Sequence, residues 1–234
     1  MTGRGKQASE IILVDHCTSG NDELGVPIRR WATLFCGNSP STSIFYTVNG
    51  GKNWSEISAP GNSSIGLVGV SFPSASTGYL VSQAGMLFRT TDGGMTFSPV
   101  DQQAVHTRNL QFATLLMGWE VRGVNLFETR DGGLSWHPIP FPPPVQYFAL
   151  LPNNFAWVVA GQTTSDNGMP PRRLFTTTDD GGTWTELPFT EIPSNYEYPW
   201  LDRIQFADDL HGWLRSGTAL YFTQVGGKTW TQIH

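Results

Sequence analysis

Charge is scarce in this chain. Only 14% of its 234 residues are Asp, Glu, Lys or Arg, and the net charge is −5. Such a surface has no bulk attraction for nucleic acid or for an anionic membrane, so a nucleic-acid partner is not expected. Long apolar runs are missing too. None approaches the ~18–20 residues of a transmembrane helix, so no membrane span is expected. The opening MTGRGKQASE lacks the pattern of a signal peptide, and the apolar run at 11–14 is too short for its core.

Cysteine is nearly absent. Cys17 and Cys36 are the only two. If EIILVD and WATLFCG form neighbouring antiparallel strands, these cysteines fall near opposite ends of the pair. That is beyond the ~7 Å Cα separation a disulfide tolerates, which predicts two free thiols and says nothing about compartment. The histidines, His16, His106, His137, His211 and His234, lack the HxH or HxxxH spacing of a metal site. No phosphate-binding loop, dinucleotide fingerprint or nucleophile elbow is present. No cofactor and no metal are therefore expected.

Glycine and proline, by contrast, are plentiful, at 26 and 16 residues. Much of the glycine belongs to one short motif, T-x-D-x-G-x-[ST]-W. Full matches are Thr129, Asp131, Gly133, Ser135, Trp136 and Thr177, Asp179, Gly181, Thr183, Trp184. Thr90, Asp92, Gly94, Thr96 ends in Phe97. The first copy is Thr47, Asn49, Gly51, Asn53, Trp54, and the last is Thr223, Val225, Gly227, Thr229, Trp230. Neighbouring closing aromatics stand 39–48 residues apart. A period of about 40–50 residues marks a propeller or solenoid array.

A second half-motif lies between the copies. VSFPSASTGYLV (70–81), LQFATLLMGWEV (110–121) and IQFADDLHGWLR (204–215) align, and FALLPNNFAWVV (148–159) is a looser match. Each carries a Gly-aromatic or Ala-aromatic pair, with Tyr79, Trp119, Trp157 and Trp213 as the aromatics; Trp31 fills that slot in the first repeat. Eight of the nine tryptophans thus occupy two repeating positions, and Trp200 is the exception.

Each repeat divides into four short runs rich in β-branched and aromatic residues, separated by Gly, Ser, Asp and Pro. In the second repeat the runs are GLVGVSF, GYLVS, MLFRTT and TFSPV. Four antiparallel strands per repeat, radially repeated, make a propeller blade. The predicted fold is all-β, a β-propeller of five four-stranded blades, complete or part of a larger ring. Residues 1–9 are expected to be a disordered extension and 10–234 the propeller, with blades near 10–58, 64–100, 108–139, 145–188 and 201–234. Each blade then comes from contiguous sequence, which predicts a seam with no hydrogen-bonded clasp or a chain cut from a longer array.

The motif has a structural rationale. Asn49, Asp92, Asp131 and Asp179 are placed to accept bonds from nearby backbone N–H groups in a tight turn. Glycine supplies the left-handed backbone. Trp54, Phe97, Trp136, Trp184 and Trp230 are expected to be largely buried at the start of each outer strand. The rival reading, a repeated Ca2+ site, lacks the 6–8 oxygen ligands that ion takes.

These motifs resemble the Asp-box, or BNR repeat, of sialidases and related propellers. The longer pattern, F-x-x-x-x-x-G-W followed by L-F-x-T-x-D-G-G-x-[ST]-W, resembles BNR-repeat proteins related to the photosystem II stability and assembly factor. The resemblance covers about residues 10–234. It implies a propeller that handles another protein, and an extracytoplasmic setting in bacteria or plastids; that factor resembles a seven-bladed ring, whereas five repeats are counted here.

Propeller topology sorts the loops onto two faces, one holding the signature turns. The opposite, loop-rich face collects Arg108, Arg122, Arg172, Arg173, Arg203 and Arg215, six of the eleven arginines, with Tyr196, Tyr198 and Trp200. Guanidinium forks suit carboxylates and phosphates, and aromatics with arginine are common at binding hot spots. The bland alternative pairs them with Asp101, Asp166, Glu191, Glu197 and Asp202 as surface charges. The expected function is a non-catalytic binding or assembly scaffold for a protein segment or other anionic ligand. The alternative is a glycan-acting propeller, either a sialidase-like hydrolase or a lectin. An enzyme of that type needs two carboxylates flanking the scissile bond, and no such pair stands out. The arginine-isoleucine-proline signature of sialidases is missing; VPIRR (26–30) is not that motif. No catalytic residue is assigned.

Overall fold

The computed structural model describes residues 10–14, 30–35, 42–47, 52–57, 60, 67–82, 84–101, 107–141, 144–161, 173–188, 201–216 and 219–233. Among them the protein is all strand and turn, in five four-stranded sheets. The first holds β1 (Glu10–Val14), β2 (Arg30–Phe35), β3 (Thr42–Thr47) and β4 (Ser55–Ile57). The second holds β5 (Leu67–Ser71), β6 (Gly78–Ser82), β7 (Leu87–Thr90) and β8 (Ser98–Asp101). The third holds β9 (Thr107–Phe112), β10 (Gly118–Arg122), β11 (Asn125–Thr129) and β12 (His137–Pro138). The fourth holds β13 (Val145–Leu150), β14 (Ala156–Ala160), β15 (Arg173–Thr177) and β16 (Thr185–Leu187). The fifth holds β17 (Leu201–Phe206), β18 (Gly212–Ser216), β19 (Ala219–Thr223) and β20 (Thr231–Ile233). Strand order follows chain order in every sheet.

Contacts divide the chain into two compact units, 1–117 with 130–135, and 118–129 with 136–234. In the first, Ile44, Val70, Phe72, Leu80 and Phe88 form a buried cluster. In the second, Trp157, Val159, Leu174, Ile204, Phe206, Leu214, Tyr221 and Trp230 belong to a larger one. The pairing of β1 with β2 is the expected antiparallel one, Glu10 opposite Phe35. Cys17, Cys36, Asn49 and residues 1–9 lie outside the described residues.

The half-motif explains how successive sheets pack. The glycine before the strand-2 aromatic is required by a neighbouring Phe ring. A Cβ on Gly78 would come within 2.3 Å of Phe72, and one on Gly212 within 2.6 Å of Phe206. In the fourth sheet the pair changes together: Leu150 stands where the others have Phe, and Ala156 where they have Gly. The thinner side chain leaves room for the methyl group. The Phe set against glycine is then free to take the aromatic of the sheet before it. Trp157 stacks on Phe206 at 3.5 Å between ring centres and 4° between planes, and Tyr79 on Phe112 at 3.6 Å and 9°. The sheet after Trp119 carries Leu150 in place of that Phe, and Trp119 tilts against Phe148 and Trp184, each at 6.0 Å.

The signature turns close on themselves. Thr90 Oγ1 donates to Asp92 Oδ1 at 2.7 Å and accepts from Gly94 N at 2.9 Å. Asp92 then accepts from Thr96 N and from Thr96 Oγ1 at 2.9 and 2.6 Å. Asp179 repeats the set with Thr177 and Thr183, and Asp131 accepts from Ser135 N and Oγ. Hydrogen bonds from Thr96 and Thr90 hold the Asp92 carboxyl down at about 2. The chain leaves the strand through left-handed backbone, with φ of 94° at Gly94 and 87° at Gly227. Asp180 takes the position of the turn's first Gly at φ 57°, a conformation that is costly with a side chain.

Each outer strand begins just after its closing aromatic, as expected, but burial of those aromatics is uneven. Trp230 is buried, Phe97, Trp136 and Trp184 are half-buried, and Trp54 is 39% exposed. The last strand of a sheet pairs on one side only, so a ring there is covered on one flank. Among the described residues the fully buried aromatics are Tyr79, Trp119 and Trp157 of strand 2, with Phe72 just after β5.

This packing predicts a specific rescue. Gly212→Ala should cost about 1–3 kcal/mol by overpacking against Phe206. Adding Phe206→Leu, which recreates the Leu150–Ala156 pair, should recover part of that loss in urea denaturation. Additive losses would contradict the slot.

Candidate functional site

The described arginines singled out by sequence each lie toward the end of their own strand that is away from the signature turns. Arg203 on β17 and Arg215 on β18 are directly opposite in register, and both are exposed. Exposed guanidinium groups on neighbouring strands suit a carboxylate or phosphate. Arg122 ends β10 at the turn to β11, and Arg173 begins β15. Arg108 lies on β9, in the first unit. Arg172, Tyr196, Tyr198 and Trp200 lie outside the described residues.

Arg173 is already engaged. Its Nε and Nη2 donate to the two carboxylate oxygens of Glu186 at 2.8 and 2.5 Å, and its guanidinium lies 4.8 Å over Phe175. Both partners are about half exposed, so the pair contributes little to stability.

Arg122 is held differently. Its Nε donates to Oε1 of Glu120, and its guanidinium lies 4.8 Å from the centre of Phe127 and 5.9 Å from that of Trp136. Glu120 is fully buried while Arg122 is partly exposed. The second carboxylate oxygen of Glu120 makes no hydrogen bond. Burial pushes the Glu120 carboxyl up to about 7, with Arg122 pulling the other way.

Sequence reasoning passed over Glu120, although the repeat carries its signal. Its column in the half-motif holds Leu80, Val158 and Leu214, all buried. The column of Arg122 holds Ser82, Ala160 and Ser216. Two positions on one face of one strand therefore exchange an aliphatic and a small residue for a carboxylate and a guanidinium. Among the described residues no group of three or more His, Cys, Asp or Glu could hold a metal ion. No helix among them is long and apolar enough to cross a membrane.

The fold has known counterparts. No protein-family model matches the chain. A structure of YCF48 bound to a D1 peptide aligns with 96% of this chain and 71% of its own, at 17% identity and a TM-score of 0.54. A GH74 xyloglucanase from Xanthomonas campestris aligns with 87% of this chain and 36% of its own, at 17% identity and 0.56. The nidogen/laminin complex contributes a chain aligned over 95% of this one and 78% of its own, at 9% identity and 0.66. A vacuolar protein sorting/targeting protein 10 from Uncinocarpus reesii is 33% identical over 70 residues, 28% of this chain and 4% of that protein. The structural likeness is one of fold, and the fold is that of a β-propeller.

The buried carboxylate makes a stability prediction. An acid raised in the folded state holds its proton where the unfolded chain has lost it. Stability is then greatest below its ordinary value of 4.5 and falls as pH rises through about 7. Glu120→Leu should flatten that fall in urea melts between pH 5 and 8. An unchanged slope would show that Glu120 is not the group responsible.

Proposed function

We propose that this protein is a non-catalytic binding scaffold that takes an anionic partner, a protein segment, at the strand ends opposite its signature turns. The observation that carries this reading is the directly opposed, exposed pair Arg203 and Arg215. Arg122, in the same compact unit, is a further principal contact, and Arg108, on β9 of the other unit, is a principal candidate taken by itself. Arg172 and Arg173 come second, the latter because Glu186 already holds it. Tyr196, Tyr198 and Trp200 would supply apolar contact beside the charge. A propeller of similar fold has been captured with a peptide, YCF48 with D1, which supports a peptide as the class of partner.

A second reading has one observation in its favour. The GH74 xyloglucanase shares the fold, so a glycan ligand or substrate is the competing class. A hydrolase of that kind would need two carboxylates about the scissile bond.

The test is titration of a fluorescent acidic peptide into wild type, Arg203→Ala and Arg215→Ala. Each substitution should weaken binding by about tenfold or more, since a charge-assisted contact shielded from water is worth ~1.5–3 kcal/mol. Equal binding by all three would leave the arginines as solvated surface. Release of sugar from xyloglucan or a sialoside by the purified protein would put the glycan reading in its place.

A further inference from the structure

One exchange in the repeat has the form of a built recognition element. Glu120 and Arg122 are two apart on β10 and therefore share a face. The equivalent strands place a buried aliphatic and a small residue there, Leu80 with Ser82, Val158 with Ala160 and Leu214 with Ser216. The fold thus does not need a charge at either position. An ion pair that buries its carboxylate gains little stability over apolar residues at the same positions. Its presence in one sheet calls for a reason other than packing.

The geometry gives one. Glu120 lies behind and takes Nε of Arg122, while Phe127 and Trp136 flank the guanidinium. Three of the side chain's freedoms are restrained by groups that are themselves fixed in strands or turns. Engagement of Nε leaves the end-on edge, Nη1 and Nη2, as the face available to a ligand. That edge matches the two oxygens of a carboxylate. Gly123 and Val124 in the adjoining turn are exposed, and a side chain at Gly123 would meet nothing within 4 Å. The Arg122 side chain itself is 31% exposed.

We propose that Glu120 is a positioning residue for an oxyanion site at Arg122: it fixes the guanidinium so that Nη1 and Nη2 face a carboxylate of the bound partner. The inference rests on the reading that this end of the strands binds an anionic protein segment, and it names the group recognised. Glu120 does not touch the ligand. It lowers the entropy lost when Arg122 engages, which is how preorganisation raises affinity.

The experiment uses the full chain and three probes: N-acetylated trialanine with a free C-terminal carboxylate, the same peptide as its amide, and inorganic phosphate. Binding is followed through the Arg122 Nε–Hε resonance and, in parallel, stability through urea denaturation. The wild type should bind the free peptide and not the amide. Glu120→Leu, the residue type the repeat itself uses, should be at least as stable as wild type yet bind about tenfold more weakly. Glu120→Gln, which keeps an acceptor for Nε, should fall between them and serves if the Leu variant does not fold. Unchanged affinity in both variants overturns the proposal, as does binding of phosphate but not of the carboxylate peptide. If Arg203→Ala abolishes binding while Glu120→Leu does not, this inference fails and the wider reading stands. If neither matters, both fail.

Discussion

A ring set against a glycine is the contact on which the rest of this fold depends. Phe72 and Phe206 occupy space that a Cβ on Gly78 or Gly212 would claim. Where the sequence gives up the ring, at Leu150, it also gives up the glycine, at Ala156. Once the ring is seated, its outer face receives the strand-2 aromatic of the preceding sheet, as Trp157 on Phe206 and Tyr79 on Phe112. Two tightly stacked rings bury a large area and add a geometric preference of their own. The polar edges are then settled locally: Trp157 Nε1 donates to Gly226 O at 2.9 Å, and Tyr79 Oη to Leu115 O at 2.6 Å. The residue before the conserved signature glycine is placed with it, because its N–H reaches back to the turn between strands 1 and 2, as Gly93 to Ser76, Asp180 to Asn154 and Gly226 to Leu210.

That dependence explains why the architecture was legible and the site less so. Strand number, strand order and the start of each outer strand follow from features repeated four or five times, and repetition separates packing from accident. Burial of the closing aromatics was read less well. Trp54 and Trp230 occupy the same motif position but differ in what covers them, and the motif carries no information on that. Glu120 was legible only by comparing columns, since a single glutamate in a strand means little until Leu80, Val158 and Leu214 stand beside it. The stretch of sequence bearing Tyr196, Tyr198 and Trp200 has no counterpart in the other repeats, so no column exists against which to read it.

The same comparison separates scaffold from function. Asp92, Asp131 and Asp179 draw the eye, yet each spends its carboxylate on hydroxyls and N–H groups of its own turn. The residues proposed for recognition are those that break the repeat: the opposed arginines of β17 and β18, and the Glu120–Arg122 pair where the other sheets have apolar and small residues.

The central claim is that ring stacking in the glycine slot couples one sheet to the next. The direct measurement is a double-mutant cycle on Trp157 and Phe206, each replaced by Leu singly and together, with unfolding free energies from urea titration. A coupling of about 0.5–1.5 kcal/mol beyond the sum of the single losses is expected. Strict additivity would mean that the two rings are merely neighbours and that the sheets are held together by something else.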